Sequence, residues 1–491
     1  MKIKQLILTC CSLLFILTSC NNYLDVKPKG KIIPKTAEEY STILHYWLDE
    51  IEKGANATII PEPDYTSLLE FFAEDLDGTL ASSLVNTQLY VGSRINTNQK
   101  RYPELYSVIK DCNVIISNME DTESEMAKNI LGTAWSLRSI CYYNLLQSFC
   151  EPYQPETATE TLGLPLVDEF DMEAKPERSN QKETAEFILK GFRNALLYNV
   201  TDKDYLFTAQ VTKAFMARFF FWTQDWENAI IYAKEVLEQY PMLEAEEYAD
   251  NINQKLSKGK NVIIASYTNE NDIGSLSYVV AQSNVIQRPV SKELVQLFNS
   301  SPNDIRKANS FNAQRIPIKK VTTKFRSEEL CLIIAESYAH LNNTTEALKY
   351  LNLLRSKRIT QNYTAYTMDN LPEVAKQNIT IDATGAPLSK LISAILCERR
   401  MELFLEGDRW FELKRNGRPE FWIAANGKKY VTEKYLYTYP IPRADVELFP
   451  DLLIQNPGYK LSINFNKTKN VIYYIYYSNN SYKLHIYMLV L

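Results

Sequence analysis

Apolar residues recur at intervals of three and four over most of the chain, which is the spacing of one face of an α-helix. Thr36 followed by Glu39 predicts a capping box at the start of the first such run. The pattern therefore predicts an all-α fold. The predicted helices cover residues 36–53, 102–119, 123–149, 184–199, 208–223, 226–240, 328–341, 345–358 and 389–417.

Two pairs of predicted helices are separated by turns of only two residues. Gln224-Asp225 lies between the members of the first pair, and Asn342-Asn343 lies between those of the second. Alanines on these helices allow the backbones to approach closely. The arrangement resembles tetratricopeptide repeats, which recur at roughly 34 residues. Because such repeats bury their apolar faces only by stacking, we expect a stacked array of helical hairpins.

The segments between the predicted helices are irregular, and they place aromatic residues beside polar ones. Tyrosine rings can stack on the C–H faces of sugars while neighbouring amides and carboxylates bind the hydroxyls. Because functional side chains concentrate on loops of rigid scaffolds, we expect ligand contacts here. The irregular segments are residues 54–100, 151–178, 245–326, with one predicted strand at 262–267, and 359–388. The candidate ligand-binding residues are Tyr65, Tyr90, Tyr267 and Tyr278.

The last predicted helix, residues 389–417, carries two different stripes. Leu396, Leu403 and Trp410 recur every seven residues and predict a buried apolar stripe. A neighbouring stripe alternates charged and apolar residues, which predicts a partly buried ladder of ion pairs. Its glutamates are four residues apart and repel one another, so we expect arginines of the same helix to neutralise them. The predicted partners are Arg399, Arg400 and Arg409 for Glu398, Glu402 and Glu406.

Two glycines in this helix have separate predicted roles. Gly407 in the helix interior costs about 1 kcal/mol relative to alanine, so we expect it to permit close packing of another backbone. Asn416-Gly417 is typical of a helix C-terminus and predicts the end of the element.

The composition is that of a globular protein. Of the 491 residues, 45% are hydrophobic and 23% are charged. This length fits one elongated helical domain or two domains. The net charge of −5 argues against nucleic-acid binding. A content of only 14 glycines disfavours phosphate-cradling loops.

The sequence contains no motif of the common catalytic or cofactor-binding classes. Its three histidines do not have zinc-ligand spacing. Asp75, Asp77 and Gly78 form a weak calcium-like cluster, for which an acidic turn is the simpler interpretation. The carboxylate pairs of residues 389–417 are also a glycosidase pattern, but the interleaved arginines favour structural ion pairing. We therefore expect no enzyme activity, no metal and no cofactor.

The N-terminal residues are typical of a secretion signal. A basic start is followed by an apolar stretch at 6–17, which is too short for a stable membrane anchor. The tetrapeptide that ends at Cys20 is similar to a bacterial lipobox. Residues 1–19 are therefore predicted to be a signal peptide, Cys20 the acylated residue, and residues 20–35 a lipid-anchored linker. A plain secretory peptide with an incidental cysteine is the alternative.

Five cysteines follow Cys20, and an odd number cannot all pair. Most lie in apolar helical runs, which predicts buried thiols. A disulfide between Cys112 and Cys141 on adjacent helices is the alternative, and five free thiols in the denatured protein would exclude it. The five are Cys112, Cys141, Cys150, Cys331 and Cys397.

Several motifs of the chain resemble those of one family. They are the ER-x-x-EL-x-x-EG-x-R pattern in residues 398–417, an LR-A-x-x-Y-x-x-L segment at 137–147 with Ser139 as a departure, a YLD-x-x-P start at 21–28, and the endings PIP at 437–442 and QNPGY at 455–459. On these motifs the chain resembles the SusD/RagB family of nutrient-import lipoproteins over residues 20–459. The resemblance implies a SusD-like domain at 36–459, with the C-terminal signature at about 327–459.

This resemblance implies a tetratricopeptide-like helical domain with irregular loop insertions and a non-enzymatic role. Such a protein captures a glycan at the cell surface and acts as a lid over a SusC-like TonB-dependent transporter. It also implies an outer-membrane location through the lipid anchor at Cys20. The alternatives are a peptide-binding RagB-like importer component, a lipid-anchored glycosidase and a purely structural repeat adaptor.

The final residues, 460–491, follow the usual family ending and have an atypical composition. They contain no acidic residue and are rich in tyrosine, isoleucine, asparagine and lysine. We expect a read-through or frameshift tail, and an additional β-hairpin around 472–477 is the alternative. The mass of the native protein distinguishes a translated tail from a chain truncated near Tyr459.

Overall fold

The chain folds mainly into α-helices, as the apolar pattern predicts. Sixteen α-helices and three two-stranded antiparallel sheets lie in the residues that the computed structural model describes. The predicted signal peptide, Cys20, and the predicted tail at 460–491 lie outside those residues. The described ranges are 34–53, 59–61, 63–78, 100–169, 171, 175, 177–253, 259–266, 276–321, 324–425 and 428–459.

The helices agree with the predicted ones in the repeat region and add short ones between them. They are α1 (Ala37–Glu52), α2 (Pro63–Phe72), α3 (Arg101–Asn118), α4 (Glu125–Phe149), α5 (Gln181–Leu197), α6 (Ala209–Trp222), α7 (Trp226–Gln239), α8 (Ala245–Asn251), α9 (Leu276–Val285), α10 (Lys292–Asn299), α11 (Ile305–Ser310), α12 (Ser327–His340), α13 (Thr344–Ser356), α14 (Lys390–Glu402), α15 (Arg409–Arg415) and α16 (Arg443–Leu448).

Side-chain caps fix several helix starts. At α1 the Thr36 hydroxyl accepts a hydrogen bond from the Glu39 backbone N–H (3.4 Å), and the Glu39 carboxylate accepts one from the Thr36 N–H (3.2 Å). This confirms the predicted capping box. Asn180 and Glu183 form the same reciprocal pair at α5. A cap of this kind contributes about 1 kcal/mol to helix stability.

The predicted helical hairpins are present as α6–α7 and α12–α13. Gln224 and Asn342 adopt left-handed conformations, with φ of 63° and 58°, and reverse the chain direction. The side chains of Asp225 and Asn343 then cap α7 and α13. Helix α7 packs on α12, which packs on α14. The stacked arrangement of a repeat protein is therefore confirmed.

Three short antiparallel sheets connect the helical parts. One of them contains the strand predicted at 262–267, which is observed over four residues. The hairpin of residues 421–432 was not predicted, although the Asn426-Gly427 pair in its sequence is a strong hairpin signal. The sheets pair β1 (Leu162–Pro165) with β2 (Arg178–Asn180), β3 (Val262–Ala265) with β4 (Lys324–Arg326), and β5 (Phe421–Ala425) with β6 (Lys428–Thr432).

The segment from α14 to α15 contributes to each of the three largest clusters of buried apolar side chains. Leu396 and Trp410 belong to the first cluster, which extends over most of the helical stack. Met401 and Phe404 pack with α9 and α10 in the second. Ile395 packs with α12 and α13 in the third. The predicted apolar stripe is thus buried, and this segment joins the parts of the core.

The prediction of one continuous helix over residues 389–417 is wrong. Helix α14 ends at Glu402 and α15 begins at Arg409. Leu405 and Gly407 between them have φ of 61° and 77°, in the left-handed region that interrupts a helix. Gly407 is therefore not in a helix interior as predicted, and a Cβ atom on it would lie 3.2 Å from Leu69 Cδ1, so its nearest neighbours are side chains of α2 and not another backbone.

The five cysteines that follow the N-terminal region are free thiols. Cys112, Cys141, Cys150 and Cys331 are buried, and Cys397 is partly buried. The alternative of a Cys112–Cys141 disulfide is therefore wrong in this structure. Burial raises the pKa of the Cys112 thiol to about 12, which leaves it unreactive at neutral pH.

Candidate functional site

Glu402, the last residue of α14, lies at the centre of a buried ion network. Its carboxylate accepts hydrogen bonds from Arg326 Nη1 (2.5 Å), Arg358 Nε (3.0 Å) and Arg306 Nη1 (3.3 Å). All four side chains are almost fully buried. Charges in such surroundings are tolerated only when they are paired and hydrogen-bonded, and each of these is.

The two neighbouring glutamates are paired in the same way. Glu398 accepts hydrogen bonds from Arg306 Nη2 (2.6 Å) and Arg355 Nε (3.1 Å). Glu406 accepts them from Lys319 Nζ (2.8 Å) and Arg326 Nε (2.9 Å). The predicted ladder of ion pairs is confirmed, but its predicted partners are wrong. The cations come from the segments around α11, β4 and α13 and not from the helix itself.

The arginines of residues 389–417 have other partners. Arg400 Nε donates to Asp75 Oδ1 (2.7 Å), and Arg409 Nη2 donates to Glu74 Oε1 (2.5 Å). Arg399 pairs with Asp408 beyond the helix break. Two of the three therefore tie this segment to the end of α2. Asp75, considered above as a calcium ligand, is instead the partner of an arginine.

Opposing effects set the protonation of these carboxyls. Burial raises the pKa of Glu402, but the guanidinium groups of Arg358, Arg326 and Arg306 outweigh it and hold that pKa well below its ordinary value. Glu402 is therefore ionised. Glu70 on α2 has no guanidinium partner among the described residues, and burial raises its pKa to about 8. Its Oε1 atom accepts a hydrogen bond from the Gly407 N–H (2.7 Å), which connects α2 to the break between α14 and α15.

Replacing Glu70 with glutamine is expected to remove part of the pH dependence of stability. The pKa of this carboxyl is near 4.5 in the unfolded chain and about 8 in the folded chain. Between these values the folded state binds more protons, so this group makes the native protein less stable as pH rises. Urea unfolding measures this effect. Between pH 5 and pH 8, the free energy of unfolding of Glu70→Gln should rise by about 1–4 kcal/mol relative to that of the wild type. Parallel curves for the two proteins would contradict this expectation.

Two segments that the sequence predicts to be irregular adjoin α2 and α9 in the chain. Helix α2 packs on α9, and Leu76 forms an isolated antiparallel bridge with Val290. The Arg288 guanidinium lies 3.9 Å from the centre of the Phe71 ring. The segment 79–99 follows α2 in the chain, and the segment 267–275 precedes α9. Both lie outside the described residues, and with them the candidate residues Tyr90 and Tyr267.

The two other candidate tyrosines lie in helices and not in irregular segments, contrary to the prediction. Tyr65 in α2 is partly buried, and the Arg101 guanidinium lies 4.7 Å from the centre of its ring. Tyr278 in α9 is only 5% exposed. The α2–α9 contact places these two elements together. The burial of Tyr278 gives its ring a packing role in this structure.

An exposed aromatic residue was missed by the sequence analysis. Trp422 in β5 is 60% exposed, and Lys429 Nζ in β6 lies 5.2 Å from its ring centre. Trp422 pairs with Val431 across the hairpin. A tryptophan in an alternating segment beside Asn426-Gly427 is the signal that could have identified an aromatic on the solvent-facing side of a hairpin.

The described side chains do not form a recognisable catalytic arrangement. The carboxylates of α14 are engaged with cations, as described above. His340 stacks on Trp226 with ring centres 4.2 Å apart and lies 3.7 Å from Glu336, which places it inside the helical stack. Within the described ranges, no group of His, Cys, Asp and Glu side chains could hold a metal ion.

Two protein-family models match consecutive parts of the chain. The model described as the SusD family matches residues 215–459. The model described as "Starch-binding associating with outer membrane" matches residues 22–221. Together they extend from residue 22 to residue 459. A search of curated protein sequences found no match.

Solved structures of the same superfamily have the same fold at low sequence identity. A SusD superfamily protein from Bacteroides thetaiotaomicron is 19% identical, with a TM-score of 0.64 over 86% of this chain and 100% of that one. One from Bacteroides vulgatus is 18% identical, with a TM-score of 0.66 over 87% and 100%. A SusD-like carbohydrate binding protein from Bacteroides vulgatus is 18% identical, with a TM-score of 0.63 over 88% and 100%. With both halves matched by SusD models and the helical stack shared with these structures, the chain belongs to the SusD/RagB family.

Proposed function

We propose that this protein is a non-enzymatic, glycan-binding lipoprotein of the outer membrane that acts as the lid of a TonB-dependent nutrient importer. The observation that carries the proposal is the match to two family models. The model that matches residues 22–221 is described as starch-binding and associating with the outer membrane. A related solved structure is called a carbohydrate binding protein. The partner in this proposal is a SusC-like transporter.

The ion network supports this proposal because it fixes the described residues that precede one predicted binding segment. Arg400 and Arg409 pair with Asp75 and Glu74 at the end of α2, shortly before the segment 79–99. Where the protein that adjoins a ligand is already ordered, binding costs less ordering, which favours affinity. The network is thus proposed to act as structural support for binding and not as acid–base machinery.

Membrane attachment is proposed to occur through Cys20. No described helix is long and apolar enough to cross a membrane. Two acyl chains suffice for stable anchoring, and an acylated lipoprotein cysteine carries at least that number. Labelling cells with a palmitate analogue is expected to mark the wild type and not Cys20→Ser. Co-purification from outer membranes tests the transporter partner, since a lid would be recovered with its TonB-dependent transporter and a plain secreted protein would not.

Replacing Tyr90 or Tyr267 with alanine is expected to weaken oligosaccharide binding about fivefold to tenfold. Each variant loses one aromatic contact, which contributes about 1 kcal/mol or slightly more to the binding free energy. Isothermal titration against a panel of neutral oligosaccharides measures this effect. Tyr46→Ala is the matched control, because Tyr46 in α1 is 58% exposed and is not a candidate. Equal affinity of all three variants with the wild type would remove Tyr90 and Tyr267 from the site.

The same titration separates the alternatives. Binding of peptides without binding of saccharides would favour a RagB-like peptide importer. Turnover of an oligosaccharide by the purified protein would contradict the non-enzymatic role and favour a lipid-anchored glycosidase. A protein that binds neither class would fit a structural repeat adaptor.

A further inference from the structure

A polar groove lies between the loop that precedes α11 and the segment that follows α13. Its volume is about 440 Å³. Small-molecule sites in proteins occupy about 300–1,000 Å³, so the groove is large enough for one or two sugar rings. No acidic residue is among the described residues that line it, and its polar lining includes Ser300, Ser301, Asn303, Gln361, Asn362 and Thr364.

Hydrogen bonds hold the two sides of the groove together. The Ile305 N–H donates to the Arg358 carbonyl (3.0 Å), and the Thr360 N–H donates to the Asn303 carbonyl (3.2 Å). Asn303 Nδ2 donates to the Gln361 carbonyl (3.1 Å). The shape of the groove is thus fixed by the protein itself, and little ordering is required when a ligand enters.

The segment 360–370 has no helix or strand, yet side-chain amides hold it in one conformation. Asn352 in α13 binds both backbone groups of Tyr366: its Oδ1 accepts from the N–H (2.7 Å), and its Nδ2 donates to the carbonyl (2.8 Å). Asn370 Oδ1 accepts from the Thr367 N–H (2.6 Å). A rigid loop whose outer side chains remain exposed is the usual setting for a binding surface.

Arg355 connects this groove to the ion network. It is only 4% exposed, its Nε donates to Glu398 Oε1 (3.1 Å), and its Nη1 donates to the Thr364 carbonyl (3.0 Å). Its guanidinium lies 3.4 Å from the centre of the Tyr366 ring. Arg355 is therefore a fixed, charge-paired guanidinium in the lining of the groove.

We propose that this groove is a second binding site for a neutral oligosaccharide, in addition to the proposed contacts of Tyr90 and Tyr267, an inference that rests on the proposed glycan-binding function. Amides, hydroxyls and a guanidinium bind sugar hydroxyls, and the absence of lining carboxylates and of surplus cations favours an uncharged ligand. A peptide is the weaker fit, since peptides are usually bound at sheet edges or in apolar grooves. The lining has instead mainly amide and hydroxyl side chains.

The test compares a groove variant that includes Asn362→Gly with the control Asn342→Gly. Asn362 lines the groove and has φ of 53°, so glycine retains its backbone conformation while the amide is lost. Asn342→Gly makes the same change at φ of 58° in the exposed α12–α13 turn, outside the groove. The double variant Gln361→Ala/Asn362→Gly is expected to bind about tenfold more weakly, the loss of two hydrogen bonds. The probes are maltohexaose, cellohexaose, xylohexaose and mannohexaose, titrated by calorimetry.

A third variant tests the groove by occlusion. Thr364→Trp adds bulk at an exposed lining position and is expected to abolish hexasaccharide binding at this site, which the titration records as the loss of one of two binding equivalents. Asn342→Gly is expected to bind like the wild type. If the wild type binds a hexasaccharide and the groove variants bind it equally well, the groove assignment is wrong and the proposed function stands. If the wild type binds none of the four probes, the neutral-saccharide assignment fails along with this part of the proposed function.

Discussion

Replacing Glu402 with alanine is expected to lower the free energy of unfolding by about 3–5 kcal/mol, because it leaves buried cations without their partner. Arg306, Arg326 and Arg358 all donate to this carboxylate, and all are excluded from solvent. The cost comes less from the lost attraction than from charges that can neither be solvated nor be neutralised. Unfolding in guanidinium chloride measures the change. The midpoints can be compared directly if the dependence of the free energy of unfolding on denaturant concentration is the same for both proteins.

Two further variants make this expectation falsifiable. Glu402→Gln retains the volume and one acceptor oxygen, so it is expected to fold even if the alanine variant does not, and to remain less stable than the wild type. Glu447→Ala removes an exposed carboxylate, 55% accessible and paired with Arg443, and is expected to change stability by less than about 1 kcal/mol. If Glu402→Gln and Glu447→Ala have the same small effect, the network does not support the fold.

Replacing Trp410 with alanine is expected to cost about 3–5 kcal/mol, the range for deleting a large buried aromatic side chain. Trp410 in α15 stacks on Tyr437 with ring centres 4.3 Å apart and packs against Phe72 of α2 at 5.4 Å. It is 1% exposed. Its removal would leave a cavity between α15, α2 and the segment around Tyr437, because rigid neighbours only partly collapse into the space.

The matched control for this variant is Trp422→Ala. Trp422 is 60% exposed, so its removal is expected to change stability by no more than about 0.5 kcal/mol. Trp410→Phe retains most of the ring contacts and should have a smaller effect than alanine. Equal unfolding midpoints for Trp410→Ala and Trp422→Ala would show that the buried stack contributes nothing to stability.

The elements that local sequence encodes were predicted well. The capping box at Thr36 and Glu39 lies within four residues of sequence, and so do the two-residue turns at Gln224-Asp225 and Asn342-Asn343. These signals act through backbone groups of the same turn of chain. Helical periodicity acts over the same short range. The all-α fold and the helical hairpins followed from them.

The tertiary structure decided the features that join distant parts of the chain. Glu402 binds Arg306 and Arg358, which lie 96 and 44 residues away in sequence, and the N–H of Gly407 binds Glu70, 337 residues away. No local pattern specifies such partners, and the arginines nearest in sequence were the wrong choice.

The same reason explains the broken helix. Residues 389–417 retain a helical apolar stripe because side chains on both sides of the break pack into the same core. Gly407 adopts a left-handed conformation at the break, and its N–H donates to Glu70 of α2. The sequence by itself determined most of the long helices and where their hairpins turn. Only the tertiary structure decided which charges pair and where this helix ends, because burial brings those groups together from separate segments.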